Sequence, residues 1–342
     1  MLEAVQLGNS GLRVSELCLG TMNFGIPGRG HQGDWTLTLE EARPIVKAAI
    51  DHGLFYFDCA DIYGLGASEE VVGALLKELL PRDEYVLATK IAMPMGRGAN
   101  QGGLSRKHVR EGIDACLQRT GHDYIDHLVI HRHPHGIPGS ARTPIEETLE
   151  ALHDAVKEGK VLYLGGSSMF AWQFAELQLT AKMNNWTPFV SMQNHHNLVY
   201  REEEREMNPY CASTGVALTP WSPLARGILA GSYQGGFSGG STSRSQGQDR
   251  KRTEGLYQGD HVFPIAERVI ETASKYECSP AQIAVAWLKG RPEVTSPIVG
   301  VSKVSQLEDL VAAAAIELAD EDVAYLEELY QPVENLLSIG TS

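Results

Sequence analysis

The run Leu54-Phe55-Tyr56-Phe57-Asp58-Cys59-Ala60-Asp61-Ile62-Tyr63-Gly64 decides how the rest of the chain is read. Its first four residues are continuously apolar and fit a strand buried on both faces. Polarity switches abruptly at Asp58, and Tyr63 follows five residues later. Gly64 and Gly66 permit tight turns before a helix opens at Ser68. Taken alone, an aspartate at a strand end is a turn former, with the tyrosine packed beneath it. At the carboxyl end of a buried parallel strand, the same pair offers a carboxylate and a phenol for proton chemistry.

The pattern of a short apolar strand followed by an amphipathic helix recurs on both sides of this stretch. Val5-Gln6-Leu7, the turn Gly8-Asn9-Ser10-Gly11 and Leu12-Arg13-Val14 predict a hairpin ahead of the first buried strand at 16–20. Thr38-Leu39-Glu40-Glu41 is a capping box opening a helix whose apolar residues Ala42, Ile45, Val46, Ala49 and Ile50 share one face. Further strands are expected at 85–90, 125–131, 161–165, 189–193, 216–221 and 296–300. Helices are expected at 68–80, 105–120, 144–158, 171–183, 201–213, 264–275, 280–289 and 305–315. Eight strand–helix units without a linker predict an α/β fold, a (β/α)8 TIM barrel with long loops at its C-terminal face. An open doubly wound sheet shares the alternation. A last helix at 321–330 is appended, and the whole chain, 1–342, reads as one domain. The Gly/Ser-rich stretch 230–259 has no apolar period and reads as a mobile surface loop, a lid over the mouth.

Bulk properties narrow the function classes. A chain of 342 residues that is 43% hydrophobic affords a large core. Its net charge of −14 argues against nucleic acid or an anionic membrane as main partner, so an anionic ligand needs a local basic pocket. No apolar run approaches the ~18 residues of a membrane span. Cys18, Cys59, Cys116, Cys211 and Cys278 are odd in number and scattered, which suits a reducing cytosol. The start lacks the basic and apolar regions of a signal peptide, so a cytoplasmic protein is expected. No self-complementary patch fixes an oligomeric state.

On a barrel all strands end on one face, where catalysis sits. Asp58, Lys90 and His131 are then brought to one mouth from three strands, with Tyr63 on the loop above. A free phenol is a sluggish acid at neutral pH, and a neighbouring ammonium improves it by stabilising the phenolate. Lys90 can supply that charge, with Asp58 as its counter-ion, and His131 can orient a carbonyl oxygen by donating a hydrogen bond. These groups protonate an oxygen gaining negative charge but include no obvious nucleophile. The electrons must come from a hydride donor.

With those four strand-end residues the chain resembles the aldo-keto reductases from about residue 5 to about residue 330. The resemblance implies NADPH-dependent reduction of an aldehyde or ketone, a small-molecule carbonyl substrate, with Tyr63 giving the proton. It implies that Ser167, Ser168 and Gln193 hold the nicotinamide carboxamide and that Trp221 stacks on the ring. Gly20, Thr21 and Met22 would edge the ribose, while Ser222, Leu224 and Arg226 would meet the pyrophosphate. Gly300, Ser302, Lys303, Gln306 and Asp309, around the final helix N-terminus, match the 2′-phosphate and adenine positions, and Lys303 favours NADPH over NADH. The chain departs from the commoner pattern at Ser168 and Leu310, where asparagine is frequent.

Gly28-Arg29-Gly30-His31-Gln32-Gly33 matches G-x-G-x-x-G, but it lies past the first strand and ends before the helix cap, so it reads as a surface loop. Two other classes are open. His131-Arg132-His133, with His195-His196, could bind a metal for hydrolysis, although barrel hydrolases usually carry H-x-H on the first strand. A non-catalytic nucleotide-binding regulatory subunit is the third.

Overall fold

A computed structural model describes residues 1–30, 35–137, 142–233, 235–240 and 249–331. The chain opens with the antiparallel pair β1 (Ala4–Gln6) and β2 (Arg13–Ser15), the expected hairpin. Eight parallel strands follow: β3 (Cys18–Gly20), β4 (Tyr56–Asp58), β5 (Val86–Ile91), β6 (Ile125–Ile130), β7 (Val161–Ser167), β8 (Phe189–Gln193), β9 (Ala217–Leu218) and β10 (Ile298–Val299). They pair in chain order, and β10 pairs back with β3. Between β9 and β10 the ring is closed by backbone hydrogen bonds from Ile298 N–H to the Pro220 carbonyl (2.9 Å) and from Thr295 N–H to the Leu218 carbonyl (2.8 Å). These bonds select the barrel over the open sheet.

The helices cover the outside of the barrel. They are α1 (Leu39–Asp51), α2 (Ala67–Leu79), α3 (Arg106–Thr120), α4 (Ile145–Lys157), α5 (Ala171–Met183), α6 (Met207–Thr214), α7 (Asp249–Leu256), α8 (Val262–Lys275), α9 (Pro280–Lys289), α10 (Val304–Ala312) and α11 (Asp320–Glu327). Thr38 caps α1 through the expected box, its hydroxyl accepting from Glu41 N–H while the Glu41 carboxylate accepts from Thr38 N–H. Ser279 caps α9 through the same kind of box with Gln282, while Ser105 caps α3 by accepting from His108 N–H alone. Ala42, Ile45, Val46 and Ala49 bury the inner face of α1 against Leu19, Phe57 and Val299.

Two expectations need correction. The helix expected over 201–213 is a short 3-10 turn at Glu202–Glu204 followed by α6. The stretch 230–259 is not loop throughout, because residues 249–256 form α7, with Tyr233, Thr253 and Tyr257 buried. No periodicity announced α7, because its burial rests on Thr253 and on Tyr257 just beyond its end. Residues 31–33 of the glycine-rich run lie outside the described residues. Its Arg29 pairs with Glu70 (2.9 Å) and donates to the Leu65 carbonyl (2.7 Å), which pins the loop against the segment carrying Tyr63.

Candidate active site

Three neighbouring strands deliver a polar residue at or beside their carboxyl ends to the same mouth. Asp58 ends β4, Lys90 lies one residue from the end of β5, and His131 follows β6. Tyr63 stands on the turn beyond β4, where Gly64 and Gly66 take positive φ (58° and 88°) that a side chain would oppose. Lys90 Nζ donates to Asp58 Oδ2 at 2.6 Å, to the Cys59 carbonyl at 2.7 Å and to the Tyr63 hydroxyl at 3.4 Å. The His131 ring meets the Tyr63 ring edge-on, with centroids 5.9 Å apart. The four residues singled out in the sequence are therefore one cluster.

Lys90 is fully buried. Burial alone would depress its pKa, but the charge and hydrogen bond of Asp58, with help from Tyr63, hold it above the usual range, so the ammonium persists. Tyr63 departs from expectation. Burial raises its pKa more than Lys90 lowers it, and the net shift is upward. The phenol thus keeps its proton until a stronger base forms beside it. Burial, together with the charges of Arg132, Lys90 and Arg252, pushes His131 far below its ordinary pKa, which leaves a neutral imidazole with one N–H to donate.

Several contacts within the site carried no sequence signal. Gln193 Nε2 donates to Asp58 Oδ1 at 2.8 Å, so both carboxylate oxygens are held. The Cys59 carbonyl fixes Lys90 from a third side. His195 lies parallel between Trp221 (4.0 Å between centroids) and Tyr200 (4.1 Å), and its Nε2 is 2.8 Å from the Tyr257 hydroxyl. The chain places these groups 59 to 257, so only the closed barrel brings them together.

The residues singled out for a dinucleotide lie around the remaining rim. Ser167 Oγ donates to the Gln193 carbonyl (2.9 Å), and Trp221 Nε1 donates to Ser168 Oγ (3.1 Å). Ser168, Ser222 and Arg226 hold left-handed φ of 49°, 57° and 57°, an uncommon conformation for side-chain-bearing residues that concentrates at ligand-binding loops. At Gly20 a Cβ would stand 2.7 Å from Ile298 Cγ2, so the backbone at the end of β3 stays bare. Thr21 Oγ1 donates to the Asp58 carbonyl (3.0 Å), while Met22 and Leu224 are half-buried. Arg226 pairs with Asp249 and donates to Thr253 Oγ1 (3.2 Å), tying the β9 loop to α7.

Beyond Gly300, Ser302 and Lys303 are exposed just ahead of α10, and Gln306 Oε1 accepts from Ser302 N–H at 2.8 Å. Asp309 instead accepts from the Ser279 hydroxyl at 2.6 Å, a helix-to-helix contact, and Leu310 is buried in the core. This constellation fits an extended nucleotide: a bare backbone at Gly20, polar groups at Ser167 and Gln193, a half-exposed indole and a basic side chain at Lys303, whereas the charge of Arg226 is already paired with Asp249.

The histidines offered for a metal do not converge. His133 packs edge-on against His135, with centroids 5.0 Å apart. His196 Nε2 is 2.8 Å from Glu204 Oε1, and His195 sits inside its aromatic stack. Among the described residues no three His, Cys, Asp or Glu side chains are arranged to hold a metal ion. Among them, too, no helix is long and apolar enough to cross a membrane.

The sequence matches the Aldo/keto reductase family over residues 16–331. It is 44% identical to a Schizosaccharomyces pombe protein named as an aryl-alcohol dehydrogenase, over 96% of this chain and 95% of that one. It is 40% identical to the versiconal hemiacetal acetate reductase of Aspergillus parasiticus, over 97% and 98% respectively. An aldo-keto reductase of Alternaria alternata is 41% identical over 95% of this chain and 91% of its own.

Proposed function

The chain belongs to the aldo/keto reductase family and is an oxidoreductase acting on the carbonyl or alcohol group of small molecules; on that premise we propose that it reduces an aldehyde or ketone with NADPH, with Tyr63 as proton donor. The observation that carries the proposal is the Asp58–Lys90–Tyr63 chain, with Nζ 2.6 Å from the carboxylate and 3.4 Å from the phenol.

When bound, the reduced nicotinamide supplies the hydride to the carbonyl carbon. The protein residues manage the oxygen. His131, neutral, donates its N–H to the carbonyl oxygen and fixes its position beside Tyr63. As negative charge grows on that oxygen its basicity overtakes that of the phenolate, and the Tyr63 proton moves to it. Lys90 then faces a phenolate at hydrogen-bond distance, and its fixed positive charge stabilises the state in which the proton has left. Asp58 keeps Lys90 charged, while Gln193 keeps Asp58 oriented. Ser167, Ser168 and Gln193 line the place for a carboxamide. Trp221, with one face on His195, offers its other face to a planar ring. Lys303, exposed before α10, gives a compact charge for a 2′-phosphate and favours NADPH. The five free cysteines are consistent with a reducing compartment, for which we propose the cytoplasm, and the barrel with its capping helices is proposed as a single domain.

Steady NADPH oxidation with an aromatic aldehyde tests the reading. Tyr63→Phe is expected to lower kcat by about 10²–10⁴-fold, the worth of a positioned proton donor. NADPH should still quench tryptophan fluorescence in that variant. Turnover equal to wild type would remove Tyr63 from its role. Cofactor binding without turnover on any carbonyl in wild type would favour a regulatory subunit instead.

A further inference from the structure

Asp61 lies between Asp58 and Tyr63 in the sequence, and the reaction gives it no part. It is 1% exposed, and among the described residues neither of its carboxyl oxygens has a hydrogen-bond partner. Two neighbouring carboxyls are also buried, but both are fully provided for. Asp58 accepts from Lys90 Nζ on one oxygen and from Gln193 Nε2 on the other. Glu69 accepts from Arg119 Nε on one oxygen and from the Thr89 hydroxyl on the other, each at 2.5 Å. The nearby cations are thus committed elsewhere. Lys90 directs its three N–H groups to Asp58, the Cys59 carbonyl and Tyr63, and Arg119 also donates from Nη2 to Cys116 Sγ at 3.4 Å.

The backbone around Asp61 is fixed as firmly as its side chain is enclosed. Asp61 N–H donates to the Lys90 carbonyl at 3.1 Å, which clips the turn to β5. Tyr63 N–H donates to the Ala60 carbonyl at 3.1 Å, so Asp61 and Tyr63 share one tight turn. Arg119 packs beneath it, since a Cβ on Gly66 would stand 2.3 Å from Arg119 Cδ. The charged and titratable groups facing Asp61 are Glu69 on α2, Arg119 and Cys116 on α3, and Lys90 on β5. Burial and the Glu69 charge push its pKa well up, against a smaller pull from Arg119, from the Ile62 N–H short of bonding geometry, and from Lys90. A buried carboxylate without donors is far costlier than the neutral acid, so the proton stays. Lys90, Tyr63 and Cys116 are themselves held above their ordinary values and keep their protons into the alkaline range.

We propose that Asp61 is a positioning residue held as a neutral carboxylic acid, and that its turn keeps Tyr63 against Lys90 only while this acid retains its proton. The charge state follows from the packing, and the effect on turnover rests on the reductase reading above. An ionised Asp61 finds donors only in water, and it reaches water only if the backbone of 60–63 moves. Tyr63 moves with it, and its contact with Lys90, already long at 3.4 Å, is lost. The unfolded chain gives up the Asp61 proton near the ordinary 3.8, whereas the folded chain keeps it. Stability linked to Asp61 is therefore complete below pH 3.8 and declines as pH rises from there toward the folded value.

Asp61→Asn keeps the shape and neutrality of the acid and tests both halves. In infrared difference spectra at neutral pH, wild type is expected to show a protonated-carboxyl band that Asp61→Asn lacks. In urea denaturation Asp61→Asn should be the more stable protein, its advantage in the folding equilibrium constant growing by up to about tenfold per pH unit, one proton's worth. With NADPH and an aromatic aldehyde, the kcat of wild type should fall at alkaline pH by up to about tenfold per unit, as for loss of one proton. Asp61→Asn should hold its kcat to higher pH. Asp61→Ser, smaller and equally unable to ionise, should do the same and serves if the first variant folds poorly. Absence of the band in wild type, or an Asn variant less stable than wild type with a parallel pH dependence, overturns the neutral acid. Identical alkaline limbs in wild type and both variants overturn its hold on Tyr63. If wild type binds NADPH but reduces no carbonyl, the reductase reading falls, and the band and the denaturation slopes still decide the charge of Asp61.

Discussion

Lys90 is fully buried, and three oxygens surround its ammonium: Asp58 Oδ2, the Cys59 carbonyl and the Tyr63 hydroxyl. Removing its charge strands Asp58, which is also buried. Breaking a buried pair from one side typically costs about 3–5 kcal/mol, whereas removing both partners is often close to neutral. Lys90→Met should therefore lose both turnover and stability. Lys90→Met combined with Asp58→Asn should regain most of the stability and none of the turnover, as read by urea denaturation and NADPH oxidation. Equal stability of the single and double variants would show that the pair is not coupled as drawn. At this scale Asp58, Tyr63, Lys90 and His131 were legible, because an ionisable side chain ending an apolar strand is conspicuous. Gln193 was named only as a carboxamide contact, and neither its bond to Asp58 nor the Cys59 carbonyl was legible. A backbone oxygen has no letter in the sequence, and a glutamine ending a strand has several bland explanations.

Helix α2 lies so close to α3 that a Cβ on Gly73 would overlap the backbone of Thr120, with Thr120 Cα only 2.7 Å away. Backbone cannot move aside as a side-chain tip can, so Gly73→Ala must pry the two helices apart. Overpacking of this kind costs about 1–3 kcal/mol, which outweighs the roughly 1 kcal/mol that alanine gains over glycine in a helix. A net loss of stability is expected in chemical denaturation, and a gain would refute the close approach. Because α2 follows the Tyr63 turn, some activity should be lost with it. Helix α1 was legible to its cap, since Thr38 and Glu41 act locally. Helix α7 was not. Its eight residues are too few to be stable alone, and its anchors, Arg226 and the His195 stack, are distant in sequence.

One layer below the Asp58–Lys90 pair the barrel interior is polar. His127 Nδ1 is 2.8 Å from the Tyr56 hydroxyl, and its Nε2 is 2.7 Å from Ser191 Oγ, so three strands are joined through one buried imidazole. Gly165 makes room, since a Cβ there would stand 2.5 Å from both His127 Nε2 and Ser191 Oγ. Burial, with repulsion from Lys90, lowers the His127 pKa from 6.5 to about 3. The unfolded chain thus takes up a proton near pH 6.5 that the folded chain refuses until about pH 3. The stability tied to neutral His127 is complete above pH 6.5 and is lost as pH falls toward 3. Urea denaturation across that window should show a slope shallower in His127→Gln than in wild type by up to about 1.4 kcal/mol per pH unit, one proton's worth. Parallel slopes would mean that His127 does not stay neutral.

What the sequence determined by itself was local and periodic: the alternation of strands and helices, the caps and the polar residues that end strands, and from these a barrel as the expected fold and four strand-end residues as the proposed reacting quartet. A side chain's face and an element's start depend on neighbours a few residues away, and the chain records them in order. The tertiary structure alone decided which groups touch: Gln193 on Asp58 and His195 between Trp221 and Tyr200, together with the net upward shift at Tyr63. Those outcomes depend on distances and lost hydration between residues tens to hundreds of positions apart, which no local pattern encodes until the ring has closed.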